Sequence, residues 1–186
     1  MSDGKPSTRR RAAPARGTSS RRQATGKTTG KAAKADKPVV LVTGVGRYLG
    51  ARVAARLAGD PAIGRVIGID ANPLADVDMA GVELHEAQLR TGELLKLFST
   101  ADVTAVVHLA VATAPDGGRG GRAAMKESNV IGTMQLLAAC QQAPRLSKLV
   151  VRSSTAAYGA SFRDPAVFTE DTEPRDVPRG GFARDV

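Results

Sequence analysis

Little in this chain can crosslink it, chelate a metal or anchor it in a membrane. Cys140 is the only cysteine, so an internal disulfide is impossible and a reducing compartment is expected. The run Leu136-Leu137-Ala138-Ala139-Cys140 reads as an apolar helix in which the thiol packs as a small core residue. His85 and His108 are the only histidines, and neither has a cysteine, histidine or acid at metal-ligand spacing, so no metal site is expected. Hydrophobic runs stop at strand length, so no membrane span is expected. The basic N-terminus lacks the apolar core of a secretory signal. It shares the Arg/Ser-rich, acid-poor composition of transit peptides, but Pro6, Pro14 and several glycines weaken the amphipathic helix that such a peptide needs. The expected compartment is the cytoplasm.

Acidic residues are scarce where basic ones crowd. Residues 1–37 hold eleven Lys/Arg against two Asp, which accounts for the whole formal charge of +9; the remaining residues carry sixteen of each sign. This segment has almost no large apolar side chain, cannot bury enough surface to offset its ordering entropy, and is expected to be a disordered basic tail. Gly26-Lys27-Thr28 resembles the end of a P-loop, but Arg21 stands where the first glycine belongs and no strand precedes it. Weak attachment to nucleic acid or an anionic surface remains open for the tail. So does a purely solubilising role, since no aromatic residue is interleaved to stack on bases.

Beyond the tail the chain has a clear organiser. Val39-Val40-Leu41-Val42 is a buried-strand pattern, Thr43-Gly44-Val45-Gly46-Arg47-Tyr48-Leu49-Gly50 a glycine-punctuated turn, and Val53, Ala54 and Leu57 continue it as a helix. Strand, tight loop and helix start form a phosphate-binding corner, because glycine lets the backbone approach an anion and the helix N-terminus favours negative charge. The next strand, Val66-Ile67-Gly68-Ile69-Asp70, ends in a carboxylate 26 residues beyond Gly44. In a βαβ unit that acid falls beside an adenine ribose and accepts bonds from its hydroxyls. The competing reading is that Asp70 only caps its own loop, Asp70-Ala71-Asn72-Pro73.

The body continues to alternate. A short strand is expected at Gly81–Glu86, and a helix at about Thr91–Thr100 with Leu94, Leu95, Leu97 and Phe98 available for its buried side. A buried strand is expected at Ala105–Ala110, and a looser stretch at Gly117, Gly118, Gly120 and Gly121. The longest helix, about Ala123–Gln142, ends before Pro144 and offers Met125, Val130, Met134 and Leu137 to its apolar face. A further buried strand is expected at Leu149–Arg152. Five strands with helical crossovers give an α/β doubly wound parallel sheet of the Rossmann type, order 3-2-1-4-5, over residues 38–186.

These residues resemble the extended short-chain dehydrogenase/reductase family, the NAD-dependent epimerases and dehydratases of nucleotide sugars. The likeness runs from residue 38 to about 175. It rests on the glycine loop, on Asp70, on His108-Leu109-Ala110 closing the fourth strand, on Asn129-Val130-Ile131-Gly132-Thr133, and on Ser153-Ser154-Thr155-Ala156-Ala157-Tyr158-Gly159. Within the family it looks closest to proteins like UDP-glucose 4-epimerase. The resemblance implies NAD as cofactor, held by Gly44, Gly46, Arg47, Tyr48, Leu49, Gly50, Asp70, Gln88, Leu89, Leu109, Ala110 and Asn129. It further implies Ser154 as a catalytic residue bonding the substrate hydroxyl, with Thr155 the neighbouring alternative, a nucleotide-sugar substrate, and a homodimer.

Two departures matter. Arg47 occupies the place of the family's middle glycine, so either the loop path differs or that position is not left-handed; the guanidinium could pair with the pyrophosphate. It could instead face a 2′-phosphate and favour NADP, but Asp70 opposes a second anion there, so NAD is expected. The family's acid before the adenine contact is Gln88 here, followed by Leu89. The Tyr-x-x-x-Lys pair that moves the substrate proton has no counterpart: no tyrosine follows Tyr158 and no lysine follows Lys148. Tyr158 belongs to the strand-end motif and is expected to pack. Whether these residues form an enzyme is therefore left open: the chain looks truncated relative to the family, with little or no turnover of its own. The alternative is a dinucleotide-binding or redox-sensing module that never catalyses.

Overall fold

The computed structural model describes residues 37–72, 78–89, 92–115, 120–159, 161–174 and 180–185. All of the basic tail except Lys37, and the glycines at 117 and 118, lie outside the described residues.

Five strands, β1 (Val39–Thr43), β2 (Arg65–Asp70), β3 (Val82–Glu86), β4 (Ala105–His108) and β5 (Lys148–Val151), form one parallel sheet in the order β3-β2-β1-β4-β5. This is the 3-2-1-4-5 order expected from right-handed crossovers. The helices are α1 (Tyr48–Ala58), α2 (Gly92–Thr100), α3 (Gly121–Lys126), α4 (Thr133–Gln142) and a short α5 (Gly181–Asp185).

A strand buried on both faces sends alternate side chains to opposite layers. In β1, Leu41 packs with Ile67, Leu94, Phe98, Val106 and Leu136 under α2 and α4. Val40 and Val42 pack on the other side with Val66, Ala51 and Ala54 of α1. Cys140 is partly buried against the first of these layers, and burial raises its thiol pKa.

Two expectations need correction. β5 is an edge strand rather than a buried one: Val150 and Val151 are both nearly half exposed, because β4 pairs with one side only and no described strand pairs with the other. The long helix is also phased differently. Its buried positions are Met125, Asn129, Gly132, Leu136 and Ala139, while Met134 and Leu137 are exposed. The middle of this helix, Glu127–Gly132, is wound as a π-helix joining α3 to α4. One wide turn shifts the angular position of every later residue, which a uniform 3.6-residue period cannot capture.

Candidate functional site

The carboxyl ends of β1 and β4 lie where the sheet order reverses, the place at which open α/β sheets leave a crevice. A cleft of about 300 Å³ opens there. It is lined among others by Arg47, Asp70, Asn72, Gln88, Leu89 and Ala110 on the sheet side and by Met125, Ser128 and Gly132 on the helix side.

The glycine loop is shaped by close approaches. Gly44 has φ +84°, and a Cβ there would lie 2.7 Å from the Ala110 nitrogen; only glycine meets both conditions. A Cβ on Gly50 would collide with the Gly44 carbonyl, and one on Gly46 with the Asn72 carbonyl and the Asp70 carboxylate. Arg47 adopts φ −120°, ψ 151°. It therefore sits in extended backbone, and the loop is not left-handed at this position. Arg47 precedes the first turn of α1, which carries no acidic residue. The first backbone N–H groups of a helix have no partner within it, so this end is electropositive.

Asp70 ties loop and cleft together. Its Oδ2 accepts the Gly46 N–H at 3.0 Å and its Oδ1 the Asn72 N–H at 2.9 Å. The loop-capping role is thus present, and the carboxylate is held in a fixed orientation at the cleft wall. Two sp² oxygens have about four acceptor sites, so capacity remains after two bonds.

Beneath the cleft lies a polar network that the sequence pattern hid. Thr43 and His108 are fully buried and face each other across β1 and β4. Thr43 Oγ1 is 2.7 Å from His108 Nδ1, and His108 Nε2 is 3.0 Å from Thr133 Oγ1. Burial pushes the imidazole down from the ordinary 6.5 to about 4, so the ring is neutral near pH 7. The Asn129 side chain donates to the Ala112 carbonyl and accepts the Ala112 N–H, both at 2.9 Å.

Of the cofactor residues implied by the family resemblance, Arg47, Asp70, Gln88, Leu89 and Ala110 line the cleft. Gly44, Gly46 and Gly50 shape the loop beside it. Tyr48 and Leu49 turn outward on α1 and are exposed. Leu109 is a core residue, its N–H bonding Thr43, and Asn129 is occupied with Ala112. Ser154 is at the start of a 3₁₀ turn, Thr155–Tyr158, where its Oγ accepts the Ala156 N–H at 3.2 Å; it does not line the cleft. Tyr158 stacks on Phe168 with ring centroids 4.8 Å apart. Ser128, Asn72 and Met125 were missed, because only the folded helix and loop bring them to the cleft. No group of three or more potential metal ligands occurs among the described residues, and no helix there is long and apolar enough to cross a membrane.

Fold and cleft together define a doubly wound nucleotide-binding type of domain. The profile of the NAD dependent epimerase/dehydratase family matches residues 40–185, and the chain belongs to that family. It is 45% identical over 151 residues to the uncharacterized proteins Rv0501 of Mycobacterium tuberculosis and Mb0513 of Mycobacterium bovis. The matched stretch is 79% of this chain but 40% of those relatives, so the chain spans well under half their length. Among solved structures it is similar to UDP-glucose 4-epimerase from Brucella ovis in complex with NAD, at TM-score 0.66 and 23% identity over 80% of this chain and 44% of that one. It is also similar to the Bordetella bronchiseptica enzyme WbmG in complex with NAD, at TM-score 0.57 and 25% identity over 68% and 40%.

Proposed function

We propose that the cleft holds NAD and that these residues are the cofactor-binding part of a nucleotide-sugar epimerase or dehydratase. The observation that carries the reading is the fixed Asp70 carboxylate, bonded to the glycine loop on one side and facing the cleft on the other. In this arrangement the N–H groups at the start of α1 and the Arg47 guanidinium take the pyrophosphate. Asp70 accepts the ribose hydroxyls, and Gln88 and Leu89 border the adenine. A 2′-phosphate would meet the carboxylate at close range, which favours NAD over NADP.

Bound NAD supplies a hydride acceptor. The Ser154 hydroxyl, whose oxygen already accepts a backbone N–H, keeps its proton free to donate to a substrate oxygen. A nucleotide sugar fits the family, and the resemblance to nucleotide-sugar enzymes extends to a homodimer, for which the exposed Ile131, Met134 and Leu137 offer an apolar surface.

Titrating NAD and NADP into the chain and into Asp70→Ala tests the reading. NAD is expected to bind at least tenfold tighter than NADP, and the substitution is expected to erase that preference. Equal affinities in the unsubstituted chain would contradict it.

A further inference from the structure

The buried histidine is unused by the cofactor reading, yet its hydrogen bonds run between the two walls of the cleft. Thr43 Oγ1 accepts the N–H groups of Leu109 at 3.2 Å and Ala110 at 3.3 Å. The Leu109 N–H is shared with the Thr43 carbonyl, also at 3.2 Å; with two N–H groups directed at the hydroxyl oxygen, its proton is directed to His108 Nδ1 at 2.7 Å. Nδ1 is therefore the bare nitrogen, Nε2 carries the proton, and that proton goes to Thr133 Oγ1 at 3.0 Å. The bonds all run one way, from β1 through β4 to the first residue of α4.

Each end of this path adjoins the cleft. Thr43 precedes Gly44, and the Ala110 that it bonds lines the cleft; Thr133 follows Gly132, which lines it from the opposite side. Gly132 lies against Leu89, since a Cβ added to it would stand 3.5 Å from the Leu89 Cβ. Asn129, one helical turn earlier, grips Ala112 through both polar atoms of its amide. The π-helical segment, which brings Ser128 to the cleft, is thus held from within by Asn129 and just beyond its end by Thr133.

We propose that Thr43, His108 and Thr133 form a strut, buried at its Thr43–His108 end, that fixes the spacing between the glycine-loop wall and the helix wall, making His108 and Thr133 positioning residues for the dinucleotide. The proposal rests on the cofactor reading only for the identity of the ligand. The strut itself is a property of the fold.

The test combines ring nitrogen NMR of the unsubstituted chain with amide exchange and NAD titration of Thr133→Val and Thr133→Ser. The ring is expected to show a protonated Nε2 and a bare, hydrogen-bonded Nδ1; a proton on Nδ1 would overturn the strut without recourse to any variant. Thr133→Val removes the acceptor for Nε2–H and should weaken NAD binding about tenfold, with faster exchange at Leu109 and Ala110. Thr133→Ser, which keeps the hydroxyl, should restore both to within about twofold. A Val variant that binds NAD as the unsubstituted chain does, or a Ser variant that restores nothing, would refute the positioning role. If the unsubstituted chain binds no NAD while the Leu109 and Ala110 amides still respond to Thr133→Val, the cofactor reading fails and the strut stands.

Discussion

Asp70 performs two tasks with one carboxylate, capping its loop through Asn72 and bracing the glycine turn through Gly46. Its neighbours tolerate little change. Gly50→Ala would drive a methyl group into the Gly44 carbonyl, so the loop must shift. We expect a melting temperature lowered by at least about 2–4 °C per kcal/mol lost and no measurable NAD binding; an unchanged melt would contradict the packing described. His108 yields a pH prediction. Its folded pKa is depressed, so the unfolded chain binds the extra proton as pH falls from about 6.5 to about 4. The contribution is whole above that window and lost below it, amounting to about 3 kcal/mol. Urea unfolding at pH 7 and at pH 4.5, which is still inside that window, should show most of this loss, and His108→Gln should shrink the difference between the two conditions. At this scale the glycines and Asp70 were legible, because local spacing dictates their geometry. The Thr43–His108 bond was not, since its partners are 65 residues apart and meet only through the register of β1 and β4.

Among the elements, the long helix was readable in extent but not in phase. Nearly every turn of it carries an apolar residue, so composition alone does not separate the face against the sheet from the outer one, and the π-helical segment breaks the period that would. Leu136 is fully buried and Met134 is 60% exposed. Leu136→Ala should cost about 2–5 kcal/mol and Met134→Ala at most about 0.5 kcal/mol, measured by denaturant unfolding. Comparable losses at the two sites would refute the observed phasing. β5 shows the same limit: its Leu-Val-Val sequence fits a central strand and an edge strand equally well, and only pairing distinguishes them.

For the whole molecule, alternation of strand and helix was sufficient to give the sheet order, because few right-handed arrangements of five parallel strands exist. Charge is partitioned as sharply as fold, with the net positive charge confined to residues 1–37. Any retention of the chain on duplex DNA should therefore fall steeply with salt and vanish when residues 1–37 are removed. Retention that survives the deletion would place the basic contact in the folded body. The central claim concerns the cleft at the sheet reversal. Isothermal titration of the chain with NAD tests it most directly: the account predicts a saturable heat at one dinucleotide per chain, and the absence of any heat at millimolar NAD, about the weakest affinity of interest, would contradict it.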